Sequence, residues 1–203
     1  MTKSIADSHV VDSKVGIALF LKDAGCFTNI NISNCAIEAK DDFPVLIDHT
    51  PRSYKNAQLG HIRNVTLQNL NIVSSGRLLV EGLACKPIEE IKIRNIDWQV
   101  ESEAPIATAR KPWGTMVMEP DPDKPDIASN PYHLLCSNVN RLTLENIRIG
   151  IKKGINGNRN PTWVSNVSDP SISNITSYEF DGADLVRVPE LGAARSEPKL
   201  ASA

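Results

Sequence analysis

The chain has 203 residues, enough for one domain with a proper core, and its formal net charge is −2. That balance offers no basic field for nucleic acid or an anionic membrane surface. The longest apolar runs, GIALFL and RLLV, fall far short of the ~20 residues a membrane helix requires, and MTKSIADSH has no apolar core of a signal peptide.

In chain order, the first element is a weak one, with Ile5, Val10 and Asp12 matching a pattern that recurs more strongly downstream. The strand-like run GIALFL follows from Gly16 and ends beside Lys22. Next comes FTNINISNCAI from Phe27, then VLID from Val45 and the polar loop DHTPRSYKNAQLGH, which gathers Asp48, His49, Arg52, Lys55 and His61. IRNVTLQNLNI starts at Ile62, RLLVEG at Arg77 and IEEIKIRNIDW at Ile88. The segment at about 101–131 is rich in proline and charge with no period and reads as a long loop, within which Trp113 could stack on a sugar or pin the loop down. HLLC from His133, VNRLTLENIRI from Val139 and a half-copy at Ile172, Asn174 and Ile175 complete the series. The stretch 192–203 carries no apolar pattern and is expected to be a disordered tail, leaving 1–191 as the folded domain.

The four strong copies align without gaps as Φ-x-x-Φ-x-Φ-x-N-Φ-x-Φ, where Φ is apolar. The Φ-x-Φ alternation places its side chains on one face of a strand. At the Asn the parity breaks, so the chain turns a corner while still pointing apolar residues inward. Asn suits that corner because it tolerates the left-handed region, and stacked amides can bond one another. The expected markers are Asp12, Asn34, Asn69, Asn95, Asn146 and Asn174, separated by 22, 35, 26, 51 and 28 residues. The pattern predicts an all-β, right-handed, single-stranded parallel β-helix, a solenoid of roughly six coils with inserted loops. A leucine-rich horseshoe is the rival, but its Asn falls one residue later and no helical stretch separates the copies.

Cys26, Cys35, Cys85 and Cys136 form no C-x-x-C or Cys/His spacing, so neither zinc nor any other metal is expected; Cys35 occupies a core slot. The N-x-S/T matches at Asn31, Asn64, Asn166 and Asn174 are generated by the repeat and carry little weight for glycosylation.

The rhythm GIALFLKDAGCFTNINISNC, PVLID, GHIRNVTLQNLNI, PIEEIKIRNIDW resembles the C-terminal coils of glycoside hydrolase family 28, the polygalacturonase-like enzymes, over roughly residues 5–180. The resemblance implies a right-handed β-helix with a cleft on one face, where a carboxylic acid and a carboxylate base hydrolyse galacturonan-type polysaccharide with inversion. The signatures of that family are N-T-D, D-D, H-G and R-I-K. Here N-T-D and H-G are absent, and the R-I-K position holds Ala18, Leu19 and Phe20. Asp41-Asp42, the one Asp-Asp pair, falls outside the expected place and reads as a solvated turn. No catalytic residue is therefore assigned. The resemblance instead implies that the catalytic carboxylates belong to N-terminal coils upstream, the domain being truncated at that end.

A polyanionic substrate needs a cation on this face, and Lys22 shares strand parity with Ala18 and Phe20. With Asp48, His49 and Arg52 it makes up the expected substrate-binding set, for a polysaccharide or oligogalacturonide. No cofactor is expected, and the compartment is open: secretion would follow if the whole protein were a pectinase. The alternative function is a non-catalytic polysaccharide-binding or structural β-helix module. A polysaccharide lyase is a lesser one, since no carboxylate cluster suited to calcium marks a repeat strand.

Overall fold

The computed structural model describes residues 2–22, 24–51, 58–101, 132–155, 160–180 and 185–187. Ten strands appear among them and no helix: β1 (Lys3–Ala6), β2 (His9–Leu21), β3 (Cys26–His49), β4 (His61–Ser74), β5 (Leu78–Glu81), β6 (Ile88–Val100), β7 (Tyr132–Lys152), β8 (Asn160–Ser168), β9 (Ser171–Phe180) and β10 (Leu185–Arg187). The fold is all-β, and its ladders are parallel except where β10 returns antiparallel on β9. The expected loop at about 101–131, with Trp113, falls outside the described residues from 102 onward, and so does the expected tail at 192–203.

The aligned sequence copies pair in register. Ile5, Ile32, Leu67, Ile93, Leu144 and Ile172 are successive Cα partners from β1 through β9. From Ile32 to Leu144 the members of this column are at most 2% exposed, whereas Ile5 is 54% exposed at the outer edge. The apolar slots on either side of each corner join the same core, Cys35 filling one of them as a free thiol. In the slot held elsewhere by Ile37, Ile72 and Ile149, β6 carries Trp98, fully buried, whose indole N–H donates to Ser74 Oγ at 2.8 Å.

The corner is a single residue wide. Asn34, Asn69, Asn95, Asn146 and Asn174 all have φ between 53° and 55°. One left-handed residue bends the strand without ending its ladder: β3 and β4 pair from Ser33↔Gln68 straight to Cys35↔Leu70. The side-chain amides form a continuous row. Asn69 donates to Asn34 at 2.9 Å, Asn95 to Asn69 at 3.0 Å, Asn146 to Asn95 at 3.0 Å and Asn174 to Asn146 at 2.9 Å.

The first marker needs correcting. Asn34 donates to Asp7 Oδ1 at 3.1 Å, and Asp7 itself has φ 52°. Ile5↔Ile32 fixes that register, so Asp7 and not Asp12 holds the first corner. Asp12 pairs instead with Lys40 on the surface, and that ammonium lowers its pKa. The Asp41-Asp42 backbone runs within β3, where a turn was expected.

A second corner was not anticipated. Asn29, Asn64, Glu90 and Arg141 also have positive φ, each directly before an inward Ile, Val or Leu. Asn64 donates to Asn29 at 2.7 Å there, and Glu90 and Arg141 bring an ion-pair contact of 3.8 Å in place of the amide bond. Lys92, 2.9 Å away, is the main cause holding the Glu90 carboxyl below its ordinary range, with Arg141 and Arg63 adding to it.

The corner row gives a test that separates backbone from side chain. Asn95→Ala loses two exposed amide bonds and puts a Cβ residue without a local partner at φ 53°, an expected loss on the order of 1–3 kcal/mol. Asn95→Gly forfeits the same bonds but tolerates the dihedral, so it is expected to cost less. Urea unfolding of the two variants decides it. Equal losses would mean that the left-handed backbone is not what Asn95 supplies.

Candidate functional site

Further stretches of strand, in β2, β3, β5, β7 and β8, also pair side by side. The parallel registers run Ile17↔Val45↔Leu78↔Leu134↔Thr162 and Leu19↔Ile47↔Val80↔Cys136↔Val164 on the inward parity. On the outward parity they run Ala18↔Leu46↔Leu79↔Leu135↔Trp163 and Phe20↔Asp48↔Glu81↔Ser137↔Ser165.

The outward face is not an ordinary solvated surface. Leu46, Leu79 and Leu135 are buried with Val15 in a second apolar cluster, against which Phe43, Tyr132 and Trp163 pack half-buried. The Tyr132 and Trp163 rings lie 6.5 Å apart, tilted by 39°. Beside this column the polar one is buried too: Asp48 is 6% exposed, Glu81 0% and Ser137 3%. Arg77, just before β5, and His133, on β7, are also buried, and the His133 ring meets Trp98 edge-on at 6.0 Å.

Asp48 is held in place by its neighbour, since the Thr50 hydroxyl lies 2.8 and 2.7 Å from its two carboxylate oxygens. Lys22 is half-buried, with Nζ 4.6 Å from the centroid of the Phe20 ring. Phe20 is the Cα partner of Asp48 and Leu21 that of His49, so the structure brings Lys22, Asp48 and His49 to one end of two neighbouring strands. His49 takes the inward parity with Val45 and Ile47 and is 1% exposed, so it lies on the opposite face of the strand from Asp48, and both are enclosed. Arg52 and Lys55 lie outside the described residues.

Glu81, Arg77 and His133 do not stand out in the sequence, although a signal for Glu81 is present there. VLID, LLVE and LLCS share three apolar or small residues followed by a polar one, which aligns Asp48, Glu81 and Ser137 by letters alone. Their chemistry is limited by geometry. Asp48 and Glu81 sit at one register on adjacent strands, with backbones ~4.8 Å apart. Glu81 is fully enclosed and Asp48 nearly so, whereas the acid and base of a glycosidase have to reach the glycosidic bond and a water, so in this arrangement the pair is not open to that reaction. Among the described residues no His, Cys, Asp or Glu group could hold a metal ion.

Comparison of the chain with protein-family models, with curated proteins and with solved structures finds no match.

Proposed function

We propose that the chain winds as a right-handed parallel β-helix and binds an extended acidic polysaccharide of the galacturonan type across the outward face of its short strands. The observation that carries this reading is that aromatic rings stay partly open at the two ends of that face, Phe20 beside Lys22 at one and Tyr132 beside Trp163 at the other, while the side chains between them are enclosed. Four strand steps span about 19 Å, room for a short oligosaccharide laid along the stacking direction.

Winding, as opposed to closure into a barrel, is supported by the ladders. β3 pairs with β4 through its first part and with β5 through its last, so one strand serves two faces. A barrel would join its first and last strands, yet among the described residues β1 and β2 pair only with β3, and β10 only with β9. Parallel crossovers of this kind are overwhelmingly right-handed.

The reading extends to the wider resemblance: this is the C-terminal portion of a polygalacturonase-like hydrolase, whose acid and base belong to coils outside this sequence. The absence of N-T-D and H-G, together with the enclosure of Asp48 and Glu81, favours binding without cleavage for the chain by itself. The test is titration of oligogalacturonate into the wild type, Lys22→Ala and Arg52→Ala at low salt and at ~0.15 M salt, where exposed contacts are screened. Weak, salt-sensitive binding that either substitution reduces is the expected result, with no release of reducing ends from polygalacturonate. Equal affinity in all three proteins would remove both cations from the site. Turnover above background would show that the chain carries its own acid and base.

A further inference from the structure

Away from that face, β3 and β4 begin on a nucleophile and a base. Cys26 and His61 are the first residues of their strands and are Cα partners in the parallel ladder. Their side chains meet, with Sγ 3.4 Å from Nδ1, and both residues are exposed. The His61 backbone N–H donates to the Gly25 carbonyl at 3.0 Å, which fixes the start of one strand against the other. The ladder therefore sets the imidazole beside the thiol without any help from the rest of the side-chain packing.

We propose that Cys26 is the reactive thiol of this protein, activated by His61, and that it is a site of mixed-disulfide formation with small disulfides such as glutathione disulfide. The thiol proton passes to Nδ1 of His61. The resulting thiolate attacks one sulfur of the disulfide, forming the Cys26–S–S–R bond as the S–S bond of the reagent breaks. The departing thiolate leaves with the electron pair and takes up the proton from the imidazolium. Cys26 sulfur is oxidised, the leaving sulfur is reduced, and no further reactant is needed.

The other cysteines provide the comparison. Cys35 and Cys136 are buried, and burial pushes the Cys136 thiol far up, so neither offers a thiolate to solution. Cys85 is exposed like Cys26, but no imidazole contact to it occurs among the described residues. Arg63, two residues beyond His61 on β4, is the Cα partner of Thr28 on β3 and of Glu89 on β6.

The experiment is reaction of the full chain with the aromatic disulfide DTNB, then with glutathione disulfide, each followed by peptide mapping of the labelled cysteine. Cys26 is expected to react first, roughly threefold to tenfold faster than Cys85 near neutral pH. His61→Ala should bring the two rates together. Both partners are exposed, and a melting curve of each variant verifies folding. The mapping in the wild type is decisive without any variant. Labelling of Cys85 at the same rate or ahead of Cys26 would overturn the proposal, as would a Cys26 rate unchanged in folded His61→Ala.

Discussion

Trp98→Ala is expected to cost about 3–5 kcal/mol, the range for removing a fully buried large aromatic residue. Trp98 fills a slot that the other copies fill with Ile, so its indole occupies volume that no neighbour can cover after truncation. Its loss also leaves the Ser74 hydroxyl without the N–H that now meets it at 2.8 Å, and removes the edge contact with His133. Trp98→Phe separates these effects: it keeps most of the ring and gives up the donor, and its loss is expected to be near ~1 kcal/mol, the worth of one hydrogen bond. Chemical unfolding of both variants, with matched m-values, is the measurement. A truncation cost no larger than that of Trp98→Phe would mean that the ring contributes little to the packing of this core.

The second large effect is expected at Leu67→Ala, about 2–5 kcal/mol. Leu67 is 0% exposed and stands in the middle of the Ile32–Leu67–Ile93–Leu144 column, with an apolar Cα partner on each side. Because strand side chains alternate, the adjacent Thr66 faces outward, and Thr66→Ala should fall within about 0.5 kcal/mol of wild type. The contrast between neighbours is sharper than either value alone. A Leu67 loss as small as that of Thr66 would place the alternation one residue out of register.

Much of this fold is legible in the sequence because stacking repeats the same physical demand at the same offset. Ile32, Leu67, Ile93 and Leu144 have to be apolar for one reason, and the Asn after each has to tolerate one dihedral, so both appear as aligned letters. Where the demand relaxes, the signal weakens. At the outer edge Ile5 packs on one side only, and an Asp replaces the Asn, so the letters point to Asp12 where the corner belongs to Asp7. The second corner escapes notice because Asn, Glu and Arg share it. Its trace is the odd spacing Φ-x-x-Φ, a parity break as real as the one at the Asn.

The site is harder to read than the core. Glu81 and Arg77 sit on an outward face that sequence reasoning treats as solvated, yet both are buried, as are Leu46, Leu79 and Leu135 on the same face, which the alternation of one strand does not reveal. His49 looks equivalent to Asp48 because the two are adjacent, but adjacency in a strand means opposite faces. By the same parity Lys22 falls on the face of Asp48 and not on that of His49.

The amide row has one more property. Every Nδ2 points towards the preceding strand and every Oδ1 towards the following one, so the side-chain dipoles add head to tail along the stack. The row is thus polarised, with its positive pole at the Asn34 amide. There the acceptor is Asp7, a group with a negative charge and no proton to pass on, placed as a carboxylate is at the start of a helix. An amide stacked on the far side of Asp7 would have to turn around and donate to it. Asp7 is the point at which this row of dipoles reverses or stops, which gives an otherwise repetitive molecule an electrical head and tail.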